Sequence, residues 1–111
     1  MSEEDNDRRL ESTRDALRSE VSGEMARHGR AVAERWDAVW GSPPEARETA
    51  REALLAAVHR AGHEAREMGY PEAALACDSL EAHLLDSLDA AETRGEGRRL
   101  VAEVVRASGA G

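Results

Sequence analysis

The stretch LLAAVHRAGHEAREMGYPE, Leu54 to Glu72, decides how this chain is organised. Leu54, Val58, Ala61 and Ala65 recur at steps of three or four residues, which lays them along one face of a helix. Gly69 is placed to end that helix, and Pro71 to open the next. Between these marks stand His59 and His63, one turn apart. At about 100° per residue both fall away from the apolar face and toward water.

Working outward, GSPPEA at 41–46 is a break, with Ser42 expected as an N-cap and a proline in the first turn. The helix through the two histidines is therefore expected over about 44–68, with Ala50 and Met68 extending its stripe. A third segment, from Tyr70 to about Ala90, carries Ala73, Cys77, Leu80, Leu84 and Leu88 on one face. ETRGEG at 92–97 reads as a turn. A last helix from about Glu96 to Ala107 presents Leu100, Val101, Val104 and Val105.

Toward the N-terminus, Leu10, Leu17, Val21, Met25, Val32, Trp36 and Val39 form another stripe. Gly23 and Gly29 interrupt it, and each costs about 1 kcal/mol relative to alanine inside a helix, so a split near Ser22 and Gly23 is expected. Residues 1–9 read as a disordered acidic tail, and 10–108 as one domain. Short links between amphipathic helices make antiparallel neighbours. The expected fold is all-α: an antiparallel up-down four-helix bundle with an additional N-terminal helix or extension.

Composition narrows the functional classes. The chain has 111 residues, 34% of them charged, no Phe and a formal net charge of -8. Its core must come from Leu, Val, Ala and Met. An acidic chain lacks the basic face that nucleic acid requires. No apolar run reaches the length of a membrane span, and the polar opening MSEEDNDRRLES has no signal-peptide h-region. With Cys77 as the single cysteine, no internal disulfide forms. These features lead to the expectation of a cytoplasmic protein with neither nucleic acid nor membrane as partner.

The histidine pair admits three readings. It is a solvated pair without chemistry, a metal clip, or a nucleophile with a neighbour. Histidines at i and i+4 bind zinc from one face, but HEARE is not the H-E-x-x-H of zinc hydrolases, and no metal is assigned. An exposed imidazole is nucleophilic near neutral pH and attacks acyl phosphates. Arg60, His63 and Arg66 are at hand to supply positive charge or hydrogen bonds to a phosphoryl group. Glycine-rich phosphate loops and kinase nucleotide motifs are lacking, so a carrier without its own ATP site is expected rather than an enzyme.

The stretch resembles the histidine-containing phosphotransfer domains of bacterial phosphorelays. Their active helix follows H-x-L-[KR/A]-G-[SA]-x-x-x-[FL]-G, often with P-E shortly after. His59 matches the phosphorylated histidine, Met68 the large apolar position and Gly69 the glycine ten residues on. Tyr70, Pro71 and Glu72 continue the match, and AALACDSLEAHLL looks like the helix that packs behind. The chain differs at three places: His63 replaces the glycine four residues after the histidine, Gly62 the preceding basic residue, and Arg66 a small residue.

The resemblance implies a phosphoryl group carried on His59, at Nε2, between aspartates of receiver domains. The partners implied are a response-regulator receiver domain, a hybrid histidine kinase, or both, with no cofactor of its own and Mg²⁺ supplied by the receiver. Leu55 and Gly62 would form the docking surface, with a rim of Arg60, His63 and Arg66, and Arg66 would be the counter-charge. The alternative is a degenerate module that binds a receiver or kinase without transferring phosphate. Trp36, Trp40 and Cys77 are assigned to packing.

Overall fold

Four helices make up the computed structural model, which describes residues 3–86 and 91–110. They are α1 (Glu3–Gly41), α2 (Pro44–Met68), α3 (Pro71–Asp86) and α4 (Ala91–Ala107). Each packs on its neighbour in the chain, and α4 closes the ring onto α1. The chain folds as an all-α four-helix bundle. Residues 87–90, with Leu88 of the third stripe, lie outside the described residues.

The helix ends follow from local chemistry. Gly69 sits at φ 79°, in the left-handed region that glycine enters without a Cβ clash. Its neighbour Tyr70 then donates its N–H to the Ala65 carbonyl at 2.7 Å, closing the end of α2. Ser42 departs from its expected role. Its hydroxyl turns back to the Ala38 carbonyl, at 2.5 Å, and Pro43 occupies the cap position of α2 without a side-chain cap.

Three further expectations are corrected. First, α1 does not split at Gly23. It runs unbroken through both glycines, because Gly29 is used for close packing: a Cβ there would lie 2.9 Å from the Ser108 Cβ at the end of α4. Second, ETRGEG at 92–97 is helix rather than turn. Gly97 lets α4 approach α1, since a Cβ would lie 2.8 Å from Trp36 Cζ3. Third, the expected polar tail is helical from Glu3 onward. Acidic residues near a helix N-terminus oppose its dipole favourably, and Arg and Glu are good helix formers. No separate N-terminal helix precedes α1 among the described residues; instead α1 itself continues with residues 5–20 exposed.

That continuation changes the reading of the first stripe. Met25, Val32, Trp36 and Val39 are buried, but Leu10 and Leu17 are 57% and 54% exposed. The main core joins Val32, Trp36 and Val39 to Leu54, Val58, Ala61, Cys77, Leu80, Leu84, Leu100, Val101 and Val104. A smaller cluster at the end where α1 leaves the bundle holds Met25, Ala65, Ala73 and Ala74. The molecule is accordingly a rod, 66 × 21 × 19 Å.

Gly95 and Gly97 should respond oppositely to substitution. Gly97→Val should lower stability in urea titrations by about 1–3 kcal/mol through overpacking against Trp36. Gly95→Ala, with open space around it, should raise it by about 0.5–1 kcal/mol. An unchanged midpoint for Gly97→Val would contradict this packing.

Candidate functional site

Both histidines of α2 are exposed, as helix phase requires, while Leu54, Val58, Ala61 and Ala65 are buried. The helix has two flanks, one against α3 and one against α1. His59 belongs to the α3 flank. Its Nδ1 lies 3.6 Å from a carboxylate oxygen of Glu81, and its side chain is 78% exposed. A carboxylate beside Nδ1 favours the tautomer that carries the proton there. The nitrogen left with a lone pair is then Nε2.

Two turns further along α2, Arg66 makes a two-pronged pair with Asp78 on α3, at 2.5 and 2.6 Å. Hydrogen bonding to Asp78, then its charge, pushes the guanidinium further above its ordinary range. Its charge is already matched by a carboxylate. A role as phosphate counter-charge would require it to leave Asp78. Toward the start of α2, Arg51 donates to the Leu84 carbonyl of α3 at 2.6 Å. These contacts run in opposite sequence directions along the two helices, so α2 and α3 are antiparallel.

The close approach of α2 and α3 is made at Gly62, which is buried. A Cβ there would stand 3.2 Å from the Cβ of Cys77. Gly62 therefore serves the α2–α3 contact and is not part of an open docking surface. His63 is exposed and has no ion pair or hydrogen bond among the described residues. Leu55 is half-buried, one turn before His59.

Arg60 is not on this side at all. It lines a groove between α1 and α2 with His28, Ala31, Arg35, Ala53, Ala56 and Ala57. The sequence residues thus divide: Leu55, His59 and Arg66 share the α3 flank, His63 stands outermost, Gly62 lies beneath and Arg60 faces α1.

Sequence reasoning missed Glu81, Asp78 and Leu85. Leu85 lies one turn past Glu81 on α3 and is 64% exposed. In the antiparallel pair, Leu85 and Leu55 each stand one turn from the His59–Glu81 level, both toward the start of α2. A signal was present, because Asp78, Glu81 and Leu85 are spaced by three and four, about 100° around the helix from the buried Cys77, Leu80 and Leu84. Trp36 and Trp40 lie elsewhere. They meet edge to face with centroids 5.4 Å apart, and Arg94 stacks over Trp40 at 4.2 Å.

Comparison of the chain with protein-family models, curated proteins and solved structures returns no match. Among the described residues no helix is long and apolar enough to cross a membrane.

Cys77 gives a direct check on the α2–α3 contact. Burial, reinforced by the Asp78 charge and partly offset by Arg66, pushes its thiol up to about 11. A raised value in the folded state means that the unfolded chain ionises first. The stability so contributed is complete below the ordinary thiol value of 9.0 and is lost as pH rises toward 11. At pH 8 a disulfide reagent should label native Cys77 roughly a hundred times more slowly than the denatured chain. Equal rates would show the thiol to be accessible.

Proposed function

We propose that this protein is a phosphoryl carrier of the histidine phosphotransfer type, with His59 as the accepting residue. The observation that carries the reading is the pairing of an exposed imidazole with a carboxylate at Nδ1. Glu81, 3.6 Å from Nδ1, favours a proton on that nitrogen electrostatically and so leaves the Nε2 lone pair for attack. In the transfer, Nε2 attacks the phosphorus of a receiver aspartyl phosphate. The N–P bond forms, the bond from phosphorus to the aspartate oxygen breaks, and the aspartate leaves as carboxylate. The Nδ1 proton stays in place, with Glu81 opposing the positive charge that develops on the ring.

The partner is a receiver domain, alone or as part of a hybrid histidine kinase. It brings the divalent cation and the acidic residues that the reaction needs; this chain brings the nucleophile and a docking face. Leu55 and Leu85 supply apolar contact beside His59. His63 stands at the rim, where resembling domains keep a glycine, so it selects among receivers by contact with the incoming surface. The setting is cytoplasmic, in a two-component pathway, and the protein has no ATP site of its own.

Incubation with a phosphorylated receiver should put acid-labile, base-stable phosphate on the chain. The label should vanish in His59→Ala and persist in His63→Ala. Glu81→Gln should slow transfer about ten-fold, without loss of helix content. Receiver binding with no label on His59, across several receivers, would replace this reading by that of an interaction module that does not carry phosphate.

A further inference from the structure

The other flank of α2 holds a second set of chemically active groups. His28 on α1 is half-buried, and the spacing E-x-x-x-H puts Glu24 one turn before it on the same face. From α2, half-buried Glu64 reaches the same place. One donor atom from each residue, an imidazole nitrogen and two carboxylate oxygens, lie within 4.8 Å of one another. None of the three makes an ion pair or hydrogen bond among the described residues. Two ionised carboxylates at this separation repel each other, and no ion pair joins either of them to an arginine among the described residues; Arg60 and Arg35 line the adjoining groove. Three Lewis bases from two helices thus converge with no ion pair to a cationic side chain among the described residues.

We propose that Glu24, His28 and Glu64 bind one divalent transition-metal ion, with Zn²⁺ the best match. The donor set decides the class. An imidazole nitrogen with two carboxylate oxygens suits zinc, whereas Mg²⁺ and Ca²⁺ take oxygen donors throughout. Three protein ligands leave a position for water, which the groove beside His28, about 340 Å³ in volume, can supply. A tetrahedral shell needs donors roughly 3.3 Å apart, so binding draws the three donor atoms together from within 4.8 Å. The ion clips α1 to α2 at the level where α1 leaves the bundle, since residues 5–20 beyond it are exposed. It thereby fixes the direction of the projecting half of α1. The site is separate from His59 and independent of the phosphotransfer reading.

The test is calorimetric titration of Zn²⁺ into the metal-free full chain. One ion per chain should bind, with a Kd on the order of micromolar. His28→Ala and Glu64→Gln should each weaken binding at least ten-fold, while His59→Ala and His63→Ala leave it unchanged. Zn²⁺ at a hundred times Kd should raise the melting temperature by roughly 10 °C, and this shift should vanish in Glu64→Gln. Without metal, Glu64→Gln should melt no lower than the native chain, because a repulsion is relieved, so loss of binding cannot be assigned to misfolding. Absence of stoichiometric binding overturns the proposal. So does binding that survives His28→Ala, or that is lost in His63→Ala, which would place the ion on the exposed α2 pair.

Discussion

The site rests on the close approach of α2 and α3 at Gly62. A side chain at that position would crowd the Cβ of Cys77, at 3.2 Å, so the glycine lets the two helices pack closely there. Every polar contact between the helices depends on that spacing and register. His59 meets Glu81 on one side of it, Arg66 meets Asp78 on the other, and Arg51 reaches the Leu84 carbonyl beyond. Slip one helix by a turn and the imidazole would lose its carboxylate, the guanidinium would lose its own, and Cys77 would leave the core. The apolar stripe resists that slip, because Leu54, Val58, Leu80 and Leu84 are fully buried and would meet new neighbours.

The same helix organises two flanks that do different things. Its α3 flank holds the groups on which the phosphotransfer reading depends. Its α1 flank holds Arg60 in the groove and Glu64 beside His28. Small residues shape both flanks: Gly62 permits the close approach to α3, and Ala53, Ala56 and Ala57 line the groove toward α1. Gly29 and Gly97 serve α1 and α4 in the same way. Glycines that look like interruptions in a helix pattern are here the positions where helices touch, and the packing gained outweighs their intrinsic cost of about 1 kcal/mol each.

That substitution of roles explains what was legible in the sequence. The helix through Leu54 and Val58 was readable because its stripe is long and its ends carry Gly69 and Pro71. The exposure of His59 and His63 followed from phase alone. The unbroken run of α1 and the helical start of α4 were not readable, because Gly29, Gly95 and Gly97 carry the local signature of turns, and the contacts of Gly29 and Gly97 are with other helices. Leu10 and Leu17 share the period of the buried stripe, yet α1 extends past the helices that would cover them. The partners of the site residues were equally hidden. Periodicity places a residue on a face but does not say which helix stands opposite, so Arg60 was grouped with His59, and Glu81 was overlooked.

The phosphotransfer reading requires the α2–α3 register to orient the His59 ring, with its proton on Nδ1 and its lone pair on Nε2. Nitrogen-15 correlation spectra of the imidazole side chains measure this directly. In the neutral state His59 should be mainly the Nδ1–H tautomer, distinct from His63, and Glu81→Gln should abolish the difference. A His59 spectrum identical to that of His63, and unchanged by Glu81→Gln, would contradict the account.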